Sequence, residues 1–182
     1  MQAMQIPTWE TFIYKSNGNL NSAFENLSRI LFCERFGKKL GIFQRINQKG
    51  NEAEAISVGN DIIGFQAKFF AHTINEADII DSIKKAHEAN PKQNIIYLYI
   101  NLGFGNPKKG AHKTSKEIKI EESASKYSMK IEWVVDSMIL DQVAREQWIR
   151  EMFFDVGPNM VTLVAEEQRH CEVILNAIRS QI

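Results

Sequence analysis

The sequence predicts an α/β fold in which a central mixed β-sheet is flanked by helices and followed by a helical C-terminal extension. Three observations support this prediction. Apolar residues recur at helical spacing over 22–35 and from 75 to just before Pro91. Short runs rich in β-branched and aromatic residues alternate with these helices, and the chain from 136 onward has a helical pattern throughout. The predicted division is a core domain over 1–136 and a helical extension over 137–182, which packs on the core or leads to a further domain.

Length and charge limit the classes of function. The chain has 182 residues and a mass of 20.9 kDa, enough for one sizeable core. Its 22 Lys and Arg residues balance its 22 Asp and Glu residues, so any affinity for phosphates must come from a local cluster of cations. No apolar run is long enough to cross a bilayer, and the N-terminus lacks the apolar stretch of a signal peptide. We therefore predict a cytoplasmic protein without a membrane partner.

The first half is predicted to be a helix followed by a β-meander. Ser22 and Glu25 have the spacing of a capping box at the start of the helix over 22–35. Three strand-like segments follow, over 39–47, 53–58 and 62–70, separated by tight turns at Lys49-Gly50-Asn51 and Gly59-Asn60-Asp61.

The second half is predicted to alternate helices with parallel strands. The apolar run over 94–101 is expected to be the central strand, buried on both faces. A Gly- and Pro-containing loop over 103–110, a helix over 114–127 and a strand over 130–135 follow. The apolar stripe over 159–182 stops in mid-pattern, which predicts that the natural polypeptide continues and that this chain is an N-terminal module.

Two short motifs indicate chemistry on phosphates. Strand alternation places Gln66 and Lys68 on one face of their strand, among phenylalanines, where a lysine needs an anionic partner such as a nearby carboxylate. Glu52 and Glu54 share a face of the preceding strand, and a hairpin turn would let that face meet the one carrying Gln66 and Lys68. Carboxylate, amide oxygen and ammonium together suit a divalent cation and a phosphodiester.

These motifs resemble those of a known family. Phe24-Glu25-Asn26-Leu27, Gly50-Asn51-Glu52-Ala53-Glu54 and Gly64-Phe65-Gln66-Ala67-Lys68 resemble the PD-(D/E)XK nuclease superfamily, in particular its Mrr-type restriction endonuclease branch. They are also similar to the nuclease modules at the N-termini of bacterial antiphage STAND NTPases. The resemblance covers roughly residues 9–133.

The resemblance implies a restriction endonuclease-like fold and a metal-dependent endonuclease that hydrolyses DNA. It implies that Glu25, Glu52 and Gln66 hold Mg²⁺ or Mn²⁺ and that Lys68 positions the attacking water or stabilises the transition state. The acid at Glu54 leaves open which of the two strand glutamates binds the metal. The implied partners are double-stranded DNA and either a second copy of the chain or a C-terminal sensor or NTPase region, with oligomerisation as the activating step in antiphage defence.

A lysine cluster is the predicted DNA-binding surface. Lys108 and Lys109 lie on the Gly- and Pro-containing loop and Lys113 follows it, so these three side chains can neutralise phosphates. Lys116 and Lys119 alternate with glutamates in the next helix and are expected to form helical ion pairs instead.

Other interpretations remain open from the sequence. Glu25 can serve only to complete the capping box, the strand glutamates can be solvated, and the lysine cluster can be a solvated face. The whole chain can be a DNA-binding or assembly module that retains the fold without catalysis, or a resolvase that acts on branched DNA.

Overall fold

A computed structural model describes residues 6–38 and 55–155. Within these ranges the chain forms four strands, β1 (Ile56–Val58), β2 (Asp61–Lys68), β3 (Ile95–Ile100) and β4 (Lys130–Val135). It also forms six helices, α1 (Trp9–Lys15), α2 (Leu20–Arg35), α3 (Glu76–Ala89), α4 (Ser115–Ser125), α5 (Asp136–Arg145) and α6 (Gln147–Phe153).

The four strands form one mixed sheet in the order β1-β2-β3-β4. β1 runs antiparallel to β2, and the pairing of Val58 with Asp61 closes a two-residue turn in which Gly59 has a φ of 61°. β2, β3 and β4 run parallel, and β3 lies inside the sheet because it pairs with β2 on one side and with β4 on the other. The predicted α/β class, the hairpin, the parallel pairing and the interior position of the strand over 94–101 are all confirmed.

The first helix, α1, has no counterpart among the predicted elements. The side chain of Thr8 accepts a hydrogen bond from the backbone nitrogen of Thr11, and the Thr11 side chain accepts one from the backbone of Thr8. This reciprocal cap starts a helix of seven residues. Trp9, Phe12 and Ile13 have helical spacing, but a helix of two turns is too short for that spacing to establish a period.

The second helix begins earlier than predicted. Asn17 and Gly18, with φ values of 47° and 82°, form the turn after α1, and the chain enters α2 at Leu20 directly after it. Asn19 is the N-cap and makes no side-chain capping hydrogen bond. The predicted capping box of Ser22 and Glu25 is therefore wrong, because both residues lie inside the helix.

The chain after β4 is helical in its described part, but in two pieces. Glu146 has extended backbone angles between α5 and α6, and the Arg150 side chain donates a hydrogen bond of 3.1 Å to the carbonyl of Ala144 near the end of α5. Residues 39–54 and 156–182 lie outside the described residues, so the strand over 39–47, the turn at Lys49-Gly50-Asn51 and the tail stripe stay predictions. The domain boundary at 136/137 falls at the start of α5, and it too stays a prediction.

The core lies on both faces of the sheet. On one face α1, α2, α5 and α6 pack against Ile63, Phe65 and Ala67. On the other face α3 and α4 pack against Leu98 and Ile100. Across the described ranges, no helix is long and apolar enough to cross a membrane.

Candidate active site

The candidate site lies where the parallel strands end. Lys68, Ile100 and Val135 are in register at the ends of β2, β3 and β4, so the residues that follow them emerge at one edge of the sheet, which we call the carboxyl edge. In open α/β sheets, ligands bind at this edge. The residues after β2 and β3 and the start of α3 are therefore the parts of the chain that can line a site.

Lys68 forms an ion pair at the carboxyl edge. Its ammonium nitrogen lies 3.1 Å from Oδ1 of Asp78, in the first turn of α3. The Lys68 side chain is 22% exposed and that of Asp78 is 43% exposed, so the pair is open to solvent on the acid's side. The expected carboxylate partner is thus confirmed, but it comes from α3. Asp78 was not among the predicted site residues, although in a parallel β2–α3–β3 unit the helix begins near the end of the first strand.

Gln66 shares the face of Lys68. It is 6% exposed and stands in register with Leu98, whereas Phe65 and Ala67 point into the core on the other face, as strand alternation predicted. Its amide nitrogen lies 3.5 Å from the carbonyl oxygen of Ala67. A carboxamide at this depth offers an oxygen ligand without adding a second negative charge.

Asn101 holds the ends of β2 and β3 together, and it too was not among the predicted site residues. It is 3% exposed, and its side-chain amide accepts a hydrogen bond of 2.7 Å from the backbone nitrogen of Phe70 and donates one of 2.9 Å to the Phe70 carbonyl. The amide thereby mimics a strand partner for the chain just beyond Lys68. The only sequence signal is a polar residue at the end of an apolar strand.

Glu25 lies at the same end of β2 but on the other side of the sheet. Its neighbour Phe24 packs against Phe69, with ring centroids 5.6 Å apart, so this part of α2 lies beside the residue that follows Lys68. However, α2 packs on the face that carries Phe65, whereas the Lys68 side chain turns toward α3. The structure therefore does not bring Glu25 and Lys68 together on one face. Any joint action must occur around the end of β2.

The two strand glutamates, Glu52 and Glu54, lie outside the described residues. Carboxylate and amide oxygens are suitable ligands for Mg²⁺, so the predicted donor set of Glu25, Glu52 and Gln66 has the right chemistry. Among residues 6–38 and 55–155, no group of three or more His, Cys, Asp or Glu side chains is arranged to hold a metal ion. The predicted metal site includes one of the two strand glutamates, and the choice between them stays open.

The three predicted DNA-binding lysines have different environments. Lys108 and Lys109 are exposed on the loop that follows β3. Lys113 is engaged: its ammonium nitrogen lies 2.8 and 2.7 Å from the two carboxylate oxygens of Glu121 in α4. Lys119 pairs with Glu76 of α3 at 2.9 Å, so the partner expected for it within its own helix is wrong.

Glu121 also binds Trp133. The indole nitrogen of Trp133, in β4, donates a hydrogen bond of 2.8 Å to Oε1 of Glu121. Burial raises the pKa of the Glu121 carboxyl, but the hydrogen bonds from Lys113 and Trp133 and the charge of Lys113 together lower that pKa below its ordinary value. Glu121 is consequently the charged acceptor of both groups at neutral pH.

Comparison of the sequence with models of known protein families finds no match, and comparison with curated proteins finds none either.

Proposed function

We propose that this chain is a metal-dependent endonuclease that hydrolyses phosphodiester bonds of double-stranded DNA, acting as the effector module of a larger cytoplasmic antiphage defence protein. The proposal rests on the resemblance of the motifs around Glu25 and Gln66-Ala67-Lys68 to PD-(D/E)XK nucleases. The observation that carries it is the position of Lys68: a partly buried lysine at the carboxyl edge, next to a buried glutamine on the same face.

In this proposal Glu52 and the side-chain oxygen of Gln66 would hold Mg²⁺ or Mn²⁺, and Glu25, which lies on the other side of the sheet, would reach the same ion around the end of β2. Such an ion, when bound, polarises the phosphate and lowers the pKa of a water molecule. Lys68 orients the attacking water or neutralises charge that develops on the phosphate oxygens. The water oxygen bonds to phosphorus while the bond from phosphorus to the leaving oxygen breaks, so no covalent enzyme intermediate forms.

The ion pair with Asp78 gives Lys68 a partner when no substrate is bound. Because Asp78 is 43% exposed, a phosphate can approach the ammonium group without a rearrangement of the core. Cutting of both strands needs two such sites, so we propose that assembly of two or more chains activates the enzyme.

The same ion pair favours a second candidate function. If Asp78 is the permanent partner of Lys68, the lysine has a structural role, and the chain is a DNA-binding or assembly module without catalysis. This candidate predicts DNA binding that does not depend on a divalent metal.

A plasmid-cleavage assay distinguishes the two candidates. Supercoiled plasmid is incubated with Mg²⁺, with Mn²⁺ or with EDTA, using the chain fused to an inducible dimeriser. The variants are Lys68→Ala, Lys68→Met and, as a matched control, Lys85→Ala. Lys85 is also paired with an aspartate, Asp81, but it lies on the exposed side of α3.

We expect metal-dependent cutting by the wild type and by Lys85→Ala, and loss of cutting in both Lys68 variants. Intact plasmid under forced dimerisation would overturn the nuclease proposal in favour of the non-catalytic module. In an active protein, Glu52→Gln and Glu54→Gln tested separately identify the metal ligand, and a four-way junction offered beside linear DNA tests for a resolvase.

A further inference from the structure

The loop that carries Lys108 and Lys109 is fixed to the protein at both ends. Near its start, the ring of Phe104 packs edge-on against Trp133, with centroids 4.7 Å apart. Near its end, Lys113 binds both carboxylate oxygens of Glu121, which also accepts the indole hydrogen of Trp133. We call these four residues, Phe104, Lys113, Glu121 and Trp133, the loop anchor.

Between the two fixed ends, the chain forms a defined turn. The backbone nitrogen of Ala111 donates a hydrogen bond of 2.9 Å to the carbonyl of Lys108, and Gly110 has a φ of 85°, as the third residue of a type II turn requires. Lys108 and Lys109 are the first two residues of this turn, and both are exposed. Their ammonium groups are therefore presented from an ordered backbone.

The loop that contains this turn starts at the carboxyl edge of the sheet, where the candidate site lies. The loop leaves β3 directly after Ile100, which is in register with Lys68, and it leads into α4. α4 in turn contacts the start of α3, since Lys119 pairs with Glu76 at 2.9 Å. The exposed lysines thus follow the same strand end as the candidate site, where a polyanion bound there can reach them.

We infer that Glu121 is a positioning residue: by binding Lys113 and Trp133 it fixes the loop so that Lys108 and Lys109 contact the phosphate backbone of DNA. This inference rests on the proposed function for the identity of the ligand. It assigns Lys113 a role that differs from the predicted one, because a lysine held by both oxygens of a carboxylate contributes order to the loop and no free charge to a phosphate.

The two roles of Lys113 predict opposite effects of one substitution. If Lys113 contacts phosphate, Glu121→Gln releases it and removes a negative charge, so DNA binding becomes tighter. If Lys113 is part of the loop anchor, Glu121→Gln loosens the loop, and binding becomes weaker because the loop must be ordered when DNA binds. The sign of the change separates the roles.

The test is the affinity of the full chain for a short fluorescent DNA duplex, measured by anisotropy in EDTA over a series of salt concentrations. Lys108→Gln/Lys109→Gln should lower the slope of log Kd against log salt by about 1.8, the value for two phosphate contacts. The matched control is Lys92→Gln/Lys126→Gln, which removes the same charge from exposed lysines that precede β3 and β4, at the opposite edge. It should leave the slope unchanged.

Glu121→Gln and Lys113→Gln should each weaken binding by roughly two- to tenfold. The double variant should be no weaker than either single variant, since both break one contact. Should Glu121→Gln fail to fold, the salt slope of Lys113→Gln separates the two roles, since the Lys113 side chain is 49% exposed and its replacement is tolerated. Loss of a phosphate contact lowers that slope by about 0.9, whereas loss of the loop anchor leaves it unchanged.

Four results would overturn the inference. Two concern the loop anchor: tighter binding by Glu121→Gln, or additive losses in the double variant. The other two are an unchanged salt slope in Lys108→Gln/Lys109→Gln and a wild type that does not bind DNA. Because binding is measured in EDTA, the result is independent of cleavage. A protein that binds through this loop but never cuts refutes the nuclease proposal alone. A protein that cuts with unaltered affinity in the loop variants refutes only the inference.

Discussion

Single asparagine side chains order the ends of the strands. Asn101 satisfies both backbone groups of Phe70, and at the amino end Asn94 accepts from the Ile62 nitrogen at 2.8 Å and donates to Asp61 at 2.8 Å. These two asparagines therefore join β2 to β3 beyond the regular ladder. The two hydrogen bonds of Asn101, which we call the Asn101 clamp, hold the chain two residues after Lys68.

Asn101→Ala should lower the free energy of unfolding by about 1–3 kcal/mol, since it leaves the nitrogen and the carbonyl of Phe70 without their partners. Urea denaturation followed by tryptophan fluorescence measures the change. The control is Asn106→Ala on the exposed loop, which should stay within about 0.5 kcal/mol of wild type. Equal effects of the two substitutions would show that the clamp contributes nothing.

Among single residues, the placements that could be predicted from the sequence are those fixed by the repeat of a strand or a helix. The common face of Gln66 and Lys68 follows from strand alternation, and the structure confirms it. Asp78 and Asn101 were missed because their roles depend on which strand ends meet, which is a property of the topology. The metal-binding roles of Glu25, Glu52 and Gln66 stay predictions.

At the scale of elements, the helices differ in how they begin. Thr114 and Glu117 form a complete capping box at the start of α4, whereas Asn19 at the start of α2 makes no side-chain capping hydrogen bond. Both N-caps are residue types that commonly cap helices. The stability of α2 therefore comes from its buried side, which includes Leu27, Leu31 and Phe32.

Thr114→Ala should lower the free energy of unfolding by about 1 kcal/mol, whereas Asn19→Ala should change it by only a few tenths. Chemical denaturation of the two variants beside wild type provides the measurement. A loss for Asn19→Ala as large as that for Thr114→Ala would contradict the assignment of the caps.

This difference also explains which helices were predictable. α2 and α3 have long apolar stripes and were found, although Ser22 misplaced the start of α2 by two residues. α1 has seven residues and is recognisable only from its cap. Hydrophobic periodicity identifies long elements, while the ends of elements depend on local contacts that several nearby residues can supply.

Across the whole molecule, the first and last described helices share one aromatic cluster. Phe12 of α1 lies within 6.4 Å, between ring centroids, of the five aromatic residues Trp9, Phe24, Phe69, Phe153 and Phe154. The cluster therefore joins α1, α2, the residue after β2 and α6. No pattern along the chain predicts this aromatic cluster, because its members come from segments far apart in sequence.

Phe12→Ala should lower the free energy of unfolding by about 3–5 kcal/mol, because it removes a fully buried ring that joins three helices and the residue after β2. Guanidinium denaturation measures the loss, with Met152→Ala as a control on α6, where the Met152 side chain is 52% exposed. A loss below about 1 kcal/mol would mean that α1 lies outside the cooperative unit.

The packing of α1 against α6 also has a consequence for synthesis on the ribosome. Lys15 donates hydrogen bonds to the carbonyls of Glu151 and Asp155, and the first of these partners lies 136 positions further along the chain. At about 5–20 residues per second, α1 waits roughly 7–27 s for the segment that covers it. During that interval Trp9 and Phe12 lack the rings of Phe153 and Phe154, which pack against them in the folded chain.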